Sequence, residues 1–278
     1  METKELQILA NRLRLRAVEM VYQGGEGHPG PAMSIADIVA VLYFDEMRID
    51  PGNPDWEDRD RFIISKGHSC PIIYAALDAK GYFGAPVENF HLRELHSDFQ
   101  GHPTMQKTKG LDMTSGSLGN GIAIGAGMAI AGKYQKKDYN VFVICGDGEL
   151  QEGICWEGAN AAAAHHLDNL IVFADRNGWQ SGGTIEETIG ENNIAERFAS
   201  FGWHTQEISG HDIDAIKAAI AAAKAEKGRP SMIVCDCIKG KGISYMENNN
   251  AWHKGTPNDE QMEIARKELT AAIEALEA

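Results

Sequence analysis

Gly146-Asp147-Gly148-Glu149-Leu150-Gln151-Glu152-Gly153 follows the apolar run Val141-Phe142-Val143-Ile144-Cys145. Asp175-Arg176-Asn177-Gly178 follows a second such run, Leu170-Ile171-Val172-Phe173-Ala174. Between the two lies an alanine-rich segment, from about Ile154 to His166, that reads as a helix. Short apolar runs bounded by turn residues read as buried strands. The order is strand, acidic loop, helix, strand, polar loop, which is a βαβ unit. Both loops leave the C-terminal ends of their strands. In a parallel sheet those ends face the same way, and ligands sit in the crevice beyond them. Asp147 and Asn177 are therefore expected to aim their side-chain oxygens into one crevice.

Outward from this unit, helices and strands keep alternating. Leu6 to Tyr22 has apolar residues at helical spacing, and Gly24-Gly25-Glu26-Gly27-His28-Pro29-Gly30-Pro31 stops that helix. A second helix is predicted from an N-cap at Ser34 to about Phe44, with Asp37 in the capping-box position. Arg61 to Ser65 reads as a short strand ending at Lys66-Gly67-His68, followed by a helix from Pro71 to about Lys80. Residues 81–117 read as loop. Leu118 to Gly132 reads as a helix with glycines at 119, 121, 125, 127 and 132, which implies close approach of its backbone to a neighbour. Past Gly178 come a long loop, a short helix near Ile194–Phe201, a strand at Trp203–Ile208 and a helix at Ile213–Ala225. A strand at Met232–Asp236 and a last helix from Asp259 complete the chain. The pattern predicts an α/β fold with a mostly parallel sheet flanked by helices, in one domain over residues 1–278.

Composition narrows the partners. The chain carries a net charge of −14, which argues against nucleic acid or an anionic membrane as a partner. No apolar run approaches the roughly 20 residues of a membrane span. The N-terminus lacks the cationic start and apolar centre of a signal peptide, so a cytoplasmic location is expected. The five cysteines, at 70, 145, 155, 235 and 237, are odd in number and mostly inside apolar runs, which suits reduced structural thiols.

Gly146-x-Gly148 lacks the third glycine of a dinucleotide fingerprint, and no segment matches a P-loop. Asp147 and Asn177 offer hard oxygen ligands of the kind Mg²⁺ takes, sharing its shell with phosphate and water. The competing reading is an N-cap at Asp147 and a turn residue at Asn177. Spacing alone leaves these two readings level.

Gly146-Asp147-Gly148, then 28 residues, then Asn177 resembles the thiamine diphosphate motif. Gly27-His28-Pro29-Gly30-Pro31-Ala32-Met33-Ser34, Ser65-Lys66-Gly67-His68 and Gly101-His102-Pro103 resemble the three histidine loops of transketolases. Thr114-Ser115-Gly116-Ser117-Leu118-Gly119-Asn120-Gly121 resembles their glycine-rich segment. The match runs through essentially the whole chain in order. Family members of full length carry a second thiamine-related domain that holds the pyrimidine ring, and then a C-terminal domain. This chain stops at Ala278, so the resemblance implies the N-terminal subunit of a split transketolase, completed by a separate C-terminal subunit in an α₂β₂ assembly.

The resemblance also implies roles. Asp147, Asn177 and the Trp179 carbonyl hold a divalent metal, Mg²⁺ or another such as Ca²⁺ or Mn²⁺. Gly148 and His68 contact the diphosphate, and Gly116 and Leu118 pack near the rings. His28 and His102 face the sugar hydroxyls, with His28 taking a proton at bond cleavage, and His253 matches a further family histidine more loosely. Glu152 and Glu157 lie where the family links two cofactor sites. Asn120 stands where glutamine is usual, and Thr104 where an acid is common. The remaining histidines, at 91, 96, 165, 166, 204 and 211, are read as structural or surface residues. The implied reaction passes a two-carbon ketol unit between sugar phosphates. The alternatives are part of a deoxyxylulose-phosphate synthase-like enzyme, the α chain of a keto-acid dehydrogenase, or a non-catalytic scaffold that binds a partner chain. The histidine–proline loops favour transketolase over the first two, and intact histidines and metal ligands argue against the third.

Overall fold

The computed structural model describes residues 1–190 and 193–278. Its strands are β1 (Arg61–Ile64), β2 (Val141–Gly146), β3 (Leu170–Arg176), β4 (Trp179–Gln180), β5 (Gly183–Thr184), β6 (His204–Ser209) and β7 (Ser231–Asp236). Five of them form one sheet in the order β1-β2-β3-β7-β6, and every pairing in it is parallel. The helices are α1 (Thr3–Gly24), α2 (Pro29–Met33), α3 (Ala36–Val41), α4 (Cys70–Lys80) and α5 (Asn120–Tyr134). They continue with α6 (Gly153–Ala164), α7 (Ile185–Ile189), α8 (Ile194–Ser200), α9 (Ile213–Ala225) and α10 (Asp259–Glu277). The predicted α/β architecture is thus observed.

The central strands read as unbroken apolar runs because both faces of the sheet are covered. Phe142 and Ile144 of β2, with Ile171 and Phe173 of β3, enter a core built with α1, α3, α4, α9 and α10. Their neighbours Val141, Val143, Val172 and Ala174 enter a second core with α5, α6 and α8. Each large apolar side chain among these, fully buried, contributes about 1.5–3 kcal/mol. Edge strand β6 is only partly buried, and its sequence is correspondingly polar.

The glycines of α5 act as expected at three places, Gly132 among them, where a Cβ would stand 2.9 Å from the Tyr139 ring. A Cβ on Gly121 would stand 2.3 Å from the Cβ of Ser65, and one on Gly125 would stand 2.8 Å from Val143. The helix therefore lies directly on the end of β1 and the middle of β2. Gly127 faces open space, so its presence has no packing explanation.

Two predictions are corrected. The expected helix from Ser34 to Phe44 is α3 followed by a π-helical turn at Leu42–Glu46, and a separate short helix, α2, precedes it. Ser34 is not an N-cap but the C-cap of α2, and its hydroxyl donates to Asp175 Oδ2 at 2.7 Å. Asp37 makes no capping box either, because its carboxylate accepts from Arg14 and His211. The segment after Gly178, predicted as one long loop, contains the β4–β5 hairpin and α7. The part of that loop at residues 191–192 lies outside the described residues.

Candidate active site

Because the strands are parallel, the segments following β1, β2, β3 and β7 emerge at one end of the sheet. In the β2–β3 register Gly146 pairs with Asp175, which puts Asp147 beside the chain leading to Asn177. A cleft of about 600 Å³ opens there. Its wall includes Asp147, Gly148, Asn177 and Trp179 from the two central loops. His28, His68, His102 and His253 line it from four other segments, with Gly116, Leu118 and Glu152. Glu157 does not line the cleft; it lies exposed on α6.

Asp147 is only 3% exposed. Its Oδ1 accepts from the Gly148 amide at 2.8 Å and its Oδ2 from the Gly178 amide at 2.6 Å. The N–H of Gly148, expected to face a diphosphate, is thus engaged by Asp147. Burial, and then the charge of Asp175, push the Asp147 carboxyl up to about 7. Asn177 Nδ2 donates to Asp175 Oδ2 at 2.7 Å, and Asn177 Oδ1 accepts from the Trp179 amide at 3.1 Å. Trp179 begins β4, where it pairs with Thr184. This is a hard-oxygen donor set around a desolvated carboxylate, and it fits a divalent cation.

Beneath it lies a buried polar layer. Lys66 Nζ donates to Asp175 Oδ2 at 2.5 Å and to the Pro31 carbonyl at 2.7 Å. Burial raises the Asp175 carboxyl, but Lys66 outweighs this and holds it below its ordinary value. Glu149 accepts from the Ser65 hydroxyl, from the Gly119 amide at 2.7 Å and from the Gly146 amide at 2.9 Å. That one carboxylate ties together the segments after β1, before α5 and after β2. Burial raises its pKa despite these donors.

The histidines form a cluster. The His28 ring centroid lies 5.1 Å from His68, 5.7 Å from His253 and 6.4 Å from His102, and His68 lies 5.3 Å from His253. An antiparallel bridge between Gly27 and Gly255 holds the first and last of these segments together. Burial lowers His28 and His253 to about 4 and lowers His68 and His102 as well. Near neutral pH the four rings are therefore uncharged and serve as donors and acceptors.

Sequence reasoning missed Lys66, Lys239 and Arg93, which also line the cleft. Nothing in the sequence marks Lys66 as buried, because its acid partner, Asp175, is far along the chain. His211, read as structural or surface, is structural: its Nε2 accepts from the Ile238 amide and its Nδ1 meets Asp37, each at 2.8 Å.

The chain matches the family described as "Transketolase, thiamine diphosphate binding domain" over residues 6–275. It belongs to the transketolase family. The chain is 40% identical over 276 residues to an apulose-4-phosphate transketolase subunit of Phocaeicola vulgatus, covering 99% of this chain and 97% of that protein. It is 41% identical to the 6-deoxy-6-sulfo-D-fructose transketolase subunit SqwG of Clostridium sp., covering 95% of this chain and 96% of that one. Among solved structures, the transketolase of Campylobacter jejuni superposes with a TM-score of 0.90 at 30% identity, over 99% of this chain but 46% of that one. The thiamine diphosphate-binding domain thus fills this chain nearly end to end.

Proposed function

We propose that this chain is the diphosphate- and metal-anchoring subunit of a split transketolase, and that residues 1–278 act as one domain. It works with a separate C-terminal subunit that holds the pyrimidine ring. The observation that carries the reading is the meeting, at the C-terminal ends of β1, β2, β3 and β7, of the Asp147–Asn177 oxygens with four neutral histidines.

In this reading Asp147, Asn177 and the Trp179 carbonyl hold the divalent cation. His68 and Gly148 contact the diphosphate, which requires the Gly148 amide to be shared with or released from Asp147. Gly116 and Leu118 pack near the ring system. Thiamine diphosphate, when bound, supplies the carbon nucleophile that a ketose carbonyl needs. His28 and His102 orient the sugar hydroxyls, and His28 in its neutral form takes the hydroxyl proton as the C–C bond breaks. His253 holds the far side of the cleft beside His28 and His68. Glu152, at the rim, and Glu157, exposed on α6, face a neighbouring protomer of an α₂β₂ assembly. The substrates are a ketose phosphate donor and an aldose phosphate acceptor. The free, buried state of all five thiols fits a reducing cytoplasm.

The test is ketol transfer by the chain purified alone and with a co-expressed C-terminal partner, using thiamine diphosphate, Mg²⁺ and a panel of aldose phosphates. Transfer is expected only from the pair. Robust turnover by the isolated chain, or a pair that consumes pyruvate and no ketose, would overturn the reading.

A further inference from the structure

Strands β6 and β7 run in register with Ser209 opposite Asp236, and both end there. The Gly210 amide donates to the Asp236 carbonyl at 2.8 Å, and the Cys237 amide to the Arg176 carbonyl of β3 at 3.1 Å. A Cβ on Gly210 would stand 2.3 Å from Cys237 Sγ and 3.1 Å from Cys235 Cβ, so bare backbone brings the next residue, His211, against the end of β7. Cys237 bonds towards β3, so the amide of Ile238 points to the β6 side, where the strand has ended. His211 meets it there: its Nε2 accepts from the Ile238 amide at 2.8 Å. The imidazole takes an amide that a longer β6 would have bonded through its backbone.

A buried acid holds the ring. His211 Nδ1 lies 2.8 Å from Asp37 Oδ2, and the two side chains are 16% and 8% exposed. Arg14 of α1 pairs with the same carboxylate. Burial raises the Asp37 carboxyl, but Arg14 and then His211 outweigh this and hold it below its ordinary value. A backbone amide only donates, so Nε2 carries no proton. The ring proton sits on Nδ1 and is donated to Asp37.

The segment clamped in this way runs straight into the cleft. Lys239, next after Ile238, lines the cleft, and its Nζ lies 2.9 Å from Asn250 Oδ1 and from His253 Nδ1. The Gly240 amide then donates to the Gly30 carbonyl of α2 at 3.0 Å. The backbone is thus pinned on both sides of Lys239, by a side chain at Ile238 and by α2 at Gly240.

We propose that His211 is a positioning residue for the cleft. Locked as the Nδ1–H tautomer by Asp37, it fixes the backbone that carries Lys239 and, through Lys239, His253. It thereby sets the affinity for thiamine diphosphate from outside the cleft lining. This rests on the thiamine diphosphate reading given above.

The test is calorimetric binding of thiamine diphosphate with Mg²⁺ to the chain assembled with its C-terminal partner, as wild type, His211→Leu, His211→Asn and His211→Gln. Leucine fills the space of the ring but offers no acceptor. Asparagine keeps a donor for Asp37 but is too short to reach Ile238, and serves if the leucine variant does not fold. Glutamine has the reach and keeps one donor and one acceptor. His211→Leu and His211→Asn are expected to raise Kd by about fivefold to thirtyfold, the range of one buried amide left without its acceptor, and His211→Gln to stay within about threefold of wild type. A folded His211→Leu or His211→Asn that binds within about twofold of wild type overturns the assignment and leaves the cofactor reading standing, because a residue that only supports the fold lowers stability and not affinity. A wild-type assembly that binds no thiamine diphosphate overturns both.

Discussion

Lys66 Nζ lies 2.5 Å from Asp175 Oδ2, and the two side chains are 2% and 0% exposed. The pair sits beneath the cleft where β1 and β3 end. The same carboxylate oxygen accepts from Ser34 and from Asn177 Nδ2. Asp175 thus fixes the Asn177 side chain that the proposed metal site uses, and Lys66 makes its buried charge tolerable. Removing one partner of a buried pair leaves an uncompensated charge and costs about 3–5 kcal/mol. Lys66→Met is expected to lower unfolding stability by that amount, read from urea denaturation. A change below about 1 kcal/mol, near the size of a surface substitution, would show that water reaches Asp175.

Asp147 is the side chain on which cation binding should turn. Its carboxylate is desolvated and accepts two amide hydrogen bonds, but no cationic side chain lies within ion-pairing distance of it among the described residues. Mg²⁺ with thiamine diphosphate is expected to raise the thermal midpoint of the assembled wild-type protein, by about 2.7 kcal/mol of added stability at roughly a hundred times Kd. A chelator should reverse the gain. Asp147→Asn should abolish it while leaving the ligand-free protein folded, because an amide oxygen can still accept from Gly148 or Gly178. An unchanged cofactor-dependent gain in Asp147→Asn would remove this residue from the metal site.

Gly30 sets how closely α2 approaches the segment carrying His253. A Cβ there would stand 2.6 Å from the Trp252 carbonyl oxygen. The obstacle is backbone and cannot rotate away. Gly30→Ala is expected to cost about 1–3 kcal/mol, as overpacking does. It should also weaken cofactor binding, since His253 and Lys239 both move with that backbone. Wild-type stability together with wild-type affinity would show that the segment is not held there.

The legible parts of this molecule were those governed by short-range pattern. Val141–Cys145 and Leu170–Ala174 announce central strands because burial on both faces leaves no polar alternation. With the strands placed, parallel topology alone brings Asp147 and Asn177 to one end of the sheet. Tertiary partners defeated the pattern elsewhere. Asp37 sits three residues after Ser34, as a capping box requires, yet pairs with Arg14 and His211 from distant segments. Lys66 owes its importance to Asp175, far along the chain, and carries no local mark. The missed α7 did have one: Thr184 and Glu187 form a real capping box, but five residues give too short a run for helical periodicity to register.

The histidine cluster makes a prediction about acid. His28 and His253 titrate near 6.5 in an unfolded chain and at about 4 in the native cleft. Above pH 6.5 both states are neutral and the histidines cost nothing. As pH falls from 6.5 towards 4, the unfolded chain binds protons that the native state refuses, so stability drops with pH across this window. Below about 4 the native rings take up protons too, and their contribution stops changing. Asp147 works in the opposite direction: its raised value makes the native state the better proton binder between 3.8 and about 7, so its contribution falls as pH rises through that range. A single stability curve mixes these effects, but a difference between proteins separates them. His253→Gln keeps an oxygen to accept from Lys239 and cannot be protonated. Denaturation midpoints of the ligand-free wild type and His253→Gln, followed from about pH 8 to pH 4, should run parallel above about 6.5 and diverge below it, with the variant losing less. Parallel curves across the whole range would mean that His253 is protonated as readily in the folded protein as in the unfolded chain, and that the cleft does not hold its ring neutral.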